Sequence, residues 1–191
     1  METVTFKTSR DFEKWLKVHH AKTPGVWVRF LKKAHKENTG EKSVTYAEAL
    51  DVALCYGWID SQSKSLDEKA YMQKFTPRGP KSVWSKRNRE HVARLIKAKR
   101  IALPGLAAVA AAKKDGRWAQ AYDGSSTMQI PADFLKEITG DKKAKAFFET
   151  LNRANRYAIG YRLQTAKTPE TLAHRKTAIV EMLKAGKSFH P

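Results

Sequence analysis

The sequence predicts an α+β protein, with a small antiparallel sheet packed with helices in its N-terminal part and helices alone in its C-terminal part. Segments with the two-residue period of strands occur only before residue 77. Every patterned segment from Pro131 onward has the period of a helix. The apolar share is 41%, with five Trp, six Tyr and eight Phe, which is enough for a packed core and excludes a disordered polycation.

The domain organisation is predicted from length and from one change of composition. A chain of 191 residues suits one domain or one domain with a helical extension. The stretch Asp123-Gly124-Ser125-Ser126 is the most linker-like of the chain. We therefore predict an α+β domain over 1–123, a linker over 124–130 and a helical domain over 131–191.

The first elements follow from hydrophobic spacing. Val4 and Phe6 predict a short strand, and Ser9 is expected to cap a helix whose apolar residues recur at i, i+3, i+4 and i+7. Residues 26–31 alternate as a strand does and carry bulky side chains on both faces, which predicts a central strand. The polar segment 32–43 predicts a loop.

Capping and turn residues mark the next elements. Thr45 and Glu48 have the spacing of a capping box, which predicts a helix over 46–56 that Gly57 ends. Alternation over 58–66 and 70–76 predicts an antiparallel hairpin.

Helices are expected over the rest of the chain. Ser82 or Ser85 is expected to start a basic helix with one apolar stripe, and Pro104 an alanine-rich helix. Four further helices are predicted over 132–138, 142–151, 154–165 and 170–185.

The strongest functional signal is positive charge. The net charge is +18, and residues 77–130 carry twelve basic side chains against three acidic ones. Such an excess concentrates anions near the protein, although it can also serve solubility alone. Nucleic acid is the first candidate partner, followed by an acidic protein or an anionic envelope component. The predicted anion-binding residues of this region are Arg78, Lys81, Lys86, Arg87, Arg89 and Arg94.

Trp84 lies next to these cations and has two interpretations. An exposed indole could stack on an unpaired base for roughly 1–3 kcal/mol. Burial in the core is the interpretation we favour, because Trp84 shares the apolar stripe of the basic helix.

Two other groups of residues are candidate sites. Trp58 and Asp60 follow Gly57, where Asp60 could act as a base or ligand in a pocket, with Tyr157 as a further lining residue, or could simply brace the turn. In the C-terminal part, arginines and a tyrosine at helical spacing could converge on a phosphate or carboxylate. Equally, Glu170 could pair with an arginine to hold the helices together. The predicted anion-binding residues of this part are Arg153, Arg156, Lys167 and Arg175.

The sequence lacks the motifs that mark several classes of enzymes and cofactor-binding proteins. The six histidines form no HExxH pattern, and neither a P-loop nor a GxGxxG turn is present, so we predict no metal, cofactor or catalytic residues. A single cysteine, Cys55, excludes an internal disulfide framework and fits a reducing compartment. Without a secretory signal or an apolar run long enough to span a membrane, we expect a cytoplasmic protein.

Several motifs resemble those of the YdeI/OmpD-associated proteins, also called bacteriocin-protection proteins. The C-terminal motifs are Phe147-Phe148, Arg156-Tyr157-Ala158-Ile159-Gly160-Tyr161 and Ala166-Lys167-Thr168-Pro169-Glu170-Thr171. Upstream, the matching motifs are Tyr46-Ala47-Glu48-Ala49-Leu50, Tyr56-Gly57-Trp58-Ile59-Asp60-Ser61 and Phe75-Thr76-Pro77-Arg78. The resemblance implies an α+β N-terminal part related to the YjbR/CyaY-like group, a small helical C-terminal domain, and a role in protection against cationic antimicrobial peptides.

These observations favour a non-catalytic cytoplasmic protein that binds an anionic partner. The alternative is a small-molecule-binding domain or enzyme that uses a pocket around Asp60 and Trp58. The oligomeric state is left open by the sequence.

Overall fold

The structure, a computed structural model, describes residues 1–191 and confirms the predicted α+β class. The chain forms two compact units, of which the first comprises Met1–Ser82 with Asn88–Trp118 and the second Val83–Arg87 with Ala119–Pro191. No helix is both long enough and apolar enough to span a membrane. The domain boundaries drawn from the sequence, with a linker over 124–130, stay a prediction.

The first unit contains a four-stranded mixed sheet. Its strands are β1 (Thr3–Val4), β2 (Val26–Leu31), β3 (Trp58–Ser65) and β4 (Ala70–Pro77), in the order β1-β2-β4-β3. β1 is parallel to β2, and the other pairs are antiparallel. The predicted hairpin is β3–β4, and β2 lies between two strands as its bulky faces predicted.

Five helices surround or follow this sheet: α1 (Ser9–His19), α2 (Lys33–Thr39), α3 (Tyr46–Cys55), α4 (Lys86–Lys97) and α5 (Leu103–Lys114). The capping box predicted for α3 is present, since the Thr45 hydroxyl accepts from the Glu48 amide and the Glu48 carboxylate accepts from the Thr45 amide. The φ angle of Gly57, +72°, confirms the left-handed turn expected after this helix.

Two predictions about this unit are wrong. The cap of α1 is Thr8 rather than Ser9, because Thr8 and Asp11 form a reciprocal capping box. The expected loop over 32–43 contains the short helix α2. A Lys33–Glu37 pair at 3.6 Å supports it, and Gly40 at φ +68° ends it.

Aromatic side chains form much of the first core. Phe12 of α1 packs on Phe75 of β4 with ring centroids 5.6 Å apart, and Trp58 is only 1% exposed. Burial of each such side chain contributes roughly 1.5–3 kcal/mol. The chain approaches itself closely at Gly105 of α5, where a Cβ atom would lie 2.3 Å from the carbonyl oxygen of Cys55.

The second unit contains the four C-terminal helices predicted from the sequence, α6 (Ala132–Thr139), α7 (Lys142–Thr150), α8 (Arg153–Gln164) and α9 (Pro169–Lys184). Their core includes Phe134, Ile138, Ile159 and Leu183. Side chains of Asp141, Asn152 and Thr168 accept hydrogen bonds from free amides at the starts of α7, α8 and α9.

Candidate functional site

The basic helix α4 has a buried side and a solvent side, as its pattern predicted. Asn88, Val92 and Leu95 are buried. Arg87 and Lys97 are exposed and form no ion pair. These two cations are therefore available to an external anion.

Two other predicted cations of α4 are paired internally. Lys86 Nζ lies 2.6 Å from Asp123 Oδ1. Arg94 Nη2 donates to both oxygens of Asp51 at 2.6 and 2.7 Å, and Nδ1 of His91 lies 2.9 Å from the same carboxylate. Although burial raises the pKa of Asp51, the hydrogen bonds from Arg94 and His91 outweigh it and keep that pKa below its ordinary value. Carboxylates thus neutralise the charges of Lys86 and Arg94, and these two residues are less available to an external anion than the sequence indicated.

Trp84 and the other predicted cations near α4 differ in their exposure to solvent. Arg89 is half-buried, with its guanidinium carbon 5.4 Å from the ring centroid of Trp118. Arg78 is half-buried and Lys81 is exposed. Trp84 is 1% exposed, which confirms the core interpretation and makes the exposed stacking platform wrong.

The C-terminal end of α4 has an unusual residue in its turn. Lys99 has φ +54°. Its amide donates to Ile96 O, and the amide of Arg100 donates to Leu95 O, so the two bonds form a Schellman motif. Glycine usually takes the left-handed position, since a side chain there is strained. The motif leaves the side chains of Lys99 and Arg100 exposed.

Trp58 and Asp60, the predicted pocket residues of the first unit, both make bracing contacts. The indole Nε1 of buried Trp58 donates to the carbonyl oxygen of His20 at 3.1 Å. Asp60 lies in β3 and accepts a hydrogen bond of 2.8 Å from the hydroxyl of Tyr46. Tyr157 lies in the second unit.

A cavity of about 410 Å³ in the second unit brings three predicted site residues together. We call it the C-terminal cavity; its lining residues are Ser125, Ser126, Met128, Ile130, Leu135, Phe148, Arg153, Arg156 and Tyr157. The spacing i, i+3, i+4 places Arg153, Arg156 and Tyr157 on one side of α8. The lining contains cations and no acidic side chain.

Both arginines of this cavity are anchored to main-chain carbonyls. Arg153 donates through Nε and Nη2 to Ser125 O at 3.3 and 3.1 Å. Arg156 donates through Nε to Leu151 O at 3.0 Å and through Nη2 to Glu149 O at 3.0 Å, near the end of α7. The Nη1 group of each makes no hydrogen bond.

The other predicted C-terminal residues lie on α9 or just before it. Arg175 donates through Nη1 to Arg162 O at 2.6 Å, and Lys167 is exposed. Glu170 forms no ion pair with an arginine, so that alternative is wrong. Instead, backbone and Thr168 hydrogen bonds at the start of α9 lower the pKa of Glu170.

One cavity was missed by sequence reasoning. It measures about 470 Å³, and we call it the lysine cavity; its lining residues are Phe30, Leu31, Lys32, Lys33, Lys36, Val44, Thr45, Tyr46 and Tyr71. Lys32 Nζ donates to Asp67 O at 2.9 Å, and Lys36 Nζ donates to Ser43 O at 3.1 Å. The sequence signal for this cavity was the presence of three lysines within five residues. Because a loop was expected over 32–43, the sequence did not predict that these lysines would lie together at one site.

The potential metal-ligating side chains are dispersed, and the single thiol of the chain is buried. The side chains of His, Cys, Asp and Glu form no group of three or more that could hold a metal ion. Cys55 is buried, and burial raises the pKa of its thiol to about 11, so it is protonated at neutral pH.

Comparison with known proteins identifies two matching family models. Residues 4–108 match the domain of unknown function DUF8412. Residues 127–186 match OmdA, described as "Bacteriocin-protection, YdeI or OmpD-Associated". No curated protein and no solved structure is significantly similar to the chain.

Proposed function

We propose that this chain, which belongs to the DUF8412 family and whose C-terminal part is a YdeI/OmpD-associated, bacteriocin-protection domain, is a non-catalytic protein that binds an anionic partner. Nucleic acid is the first candidate for that partner. The solvent side of α4 carries this proposal. There Arg87 and Lys97 are exposed and unpaired, and the helix end adds Lys99 and Arg100.

Charge determines which partners can approach. A net charge of +18 raises the local concentration of polyanions and repels polycations. Direct capture of a cationic peptide is therefore disfavoured, and protection of the kind named for the OmdA family would act through an anionic partner. Each phosphate neutralised by Lys or Arg releases counterions, so affinity must fall steeply with salt.

The test is fluorescence anisotropy of labelled single-stranded and double-stranded oligonucleotides titrated with the full chain at low and moderate salt. Arg87→Gln/Lys97→Gln should weaken binding and flatten the salt dependence by about two units of slope, one for each lost phosphate contact. Lys14→Gln/Lys17→Gln removes the same charge from exposed residues of α1 and should have less effect.

Two results would contradict the proposal. No binding at low salt would reject nucleic acid as the partner. Equal losses in the two double variants would show that net charge alone, and not α4, holds the oligonucleotide.

We extend the proposal to the cell, where anion binding would act in the cytoplasm and support resistance to antimicrobial peptides or envelope stress. A strain lacking the protein should be rescued under peptide challenge by the native chain and not by Arg87→Gln/Lys97→Gln. Equal rescue by both would show that resistance does not depend on Arg87 and Lys97 of α4. Cell fractionation tests whether the protein is in the cytoplasm.

A second candidate function is small-molecule binding in the first unit. It is favoured by the lysine cavity, because Tyr46 lines that cavity and also bonds Asp60. Calorimetry with adenosine monophosphate, which joins a planar ring to a phosphate, tests it. Lys33→Gln should weaken binding, since Lys33 makes only an exposed pair with Glu37. Absence of heat at any concentration would remove this candidate.

A further inference from the structure

The C-terminal cavity combines an apolar body with fixed cationic donors. Met128, Ile130, Leu135 and Phe148 supply apolar walls. At about 410 Å³, its volume lies within the roughly 300–1,000 Å³ typical of ligand sites. Leu135 is 38% exposed although it lines this cavity, which leaves an apolar contact unfilled.

The arginines are held so that donors remain free. Arg153 and Arg156 each use Nε and Nη2 to bond carbonyl oxygens, and the Nη1 groups stay unbonded. A carbonyl oxygen fixes the guanidinium without cancelling its charge. Such preorganisation lowers the entropy lost on binding an oxyanion.

Tyr157 adds a neutral donor to the same wall. Burial, and then the neighbouring Tyr161, raises the pKa of its hydroxyl, so Tyr157 stays protonated at neutral pH. The cavity also depends on Gly160, where a Cβ atom would lie 2.6 Å from Met128 Sδ. Gly160 thus leaves room for Met128 to line the cavity.

We infer that the C-terminal cavity binds a small amphipathic carboxylate, with the carboxylate on the free N–H groups of Arg153 and Arg156 and the hydrocarbon against Met128, Ile130 and Phe148. A purely inorganic anion would leave the apolar walls in water, and a neutral hydrocarbon would leave the cationic donors unused. This site is separate from the polyanion surface proposed on α4.

Methionine methyl NMR of the full chain provides the test, with octanoate as the probe. The chain has four methionines, and Met128 lines the C-terminal cavity whereas Met182 lines a different one. Octanoate should shift the Met128 methyl signal saturably and leave the Met72 and Met182 signals in place. Octanol, which has a similar chain without the charge, should bind at least about tenfold more weakly.

Variants separate charge recognition from folding. Arg153→Gln should weaken octanoate binding about tenfold, because Arg153 is exposed and bonds only one carbonyl of the chain. Lys143→Gln, an exposed change on α7, should leave binding unchanged. The inference is overturned if octanoate does not move the Met128 signal, if octanol binds equally well, or if Arg153→Gln binds like the native chain.

Discussion

The arginines of α4 and those of α8 carry the same charge, but the chain satisfies them in different ways. In α4, Arg94 bonds a carboxylate, and Arg87 points to solvent without a partner. In α8, Arg153 and Arg156 bond carbonyl oxygens. A carboxylate cancels most of the positive charge, whereas a carbonyl fixes the guanidinium and leaves its charge in place. The count of basic residues along a sequence therefore does not tell which of them an anion can reach.

The largest effect is expected at Arg156. Arg156→Ala removes hydrogen bonds to Leu151 O and Glu149 O and the contact of the guanidinium with the Phe148 ring at 4.9 Å. We expect the free energy of unfolding to fall by about 1–2 kcal/mol, because the carbonyls at the end of α7 lose charged donors, although water partly screens the exposed Arg156. Urea denaturation measures it. A loss below about 0.5 kcal/mol would show that water replaces the guanidinium at these carbonyls.

A smaller effect is expected at the carboxylate-bound arginine. Asp51→Asn should lower stability by about 1 kcal/mol at neutral pH, because Arg94 is 54% exposed and water screens the pair. The pKa of Asp51 is depressed in the folded protein, so this contribution is present above the unfolded pKa of about 3.9. The difference between native chain and variant should shrink as the pH falls below that value. A difference that stays constant through acid pH would contradict the assignment.

A gain in stability is expected at the end of α4. Lys99→Gly should raise the free energy of unfolding by roughly 0.5–1 kcal/mol, since φ is +54° there and glycine adopts that angle without a side-chain clash. Thermal denaturation measures the gain. A lower melting temperature would mean that the interactions of the Lys99 side chain stabilise the protein by more than the strained backbone angle destabilises it.

The smallest effect should come from the unpaired cations. Arg87→Gln/Lys97→Gln should change stability by less than about 0.5 kcal/mol, because both residues are exposed and form no ion pair. If it destabilised the protein as much as Arg156→Ala, the contrast between the two helices would disappear. The same denaturation series provides the comparison.

Periodicity and capping residues predicted most elements, including the central strand β2, the β3–β4 hairpin and the C-terminal helices. The helix α2 was missed because none of its residues is buried, and its support comes from a local ion pair and Gly40. The clustering of Arg153, Arg156 and Tyr157 follows from helical spacing. Their hydrogen-bond partners do not follow from this spacing. Ser125, for example, lies 28 residues before Arg153, and only the fold brings the two together.

The lysine cavity shows the same limit. Lys32 and Tyr71 come from segments far apart in the chain, and no spacing rule joins them. Trp84 is buried as expected, but not for the expected reason, because it precedes α4 and does not lie on the apolar stripe of that helix. Spacing within one helix thus groups residues that share a cavity, whereas it cannot group residues that several segments of the chain bring together.

The burial of Cys55 gives the protein its own reporter of local opening. It is the only cysteine of the chain, it is 2% exposed, and its carbonyl oxygen is covered by Gly105. A thiol reagent can attack it only after α3 separates from its neighbours, so the reaction rate measures how often this part of the first unit opens. Since the second unit contains no cysteine, modification kinetics would follow the opening of the first unit separately in the unlabelled, unmutated chain.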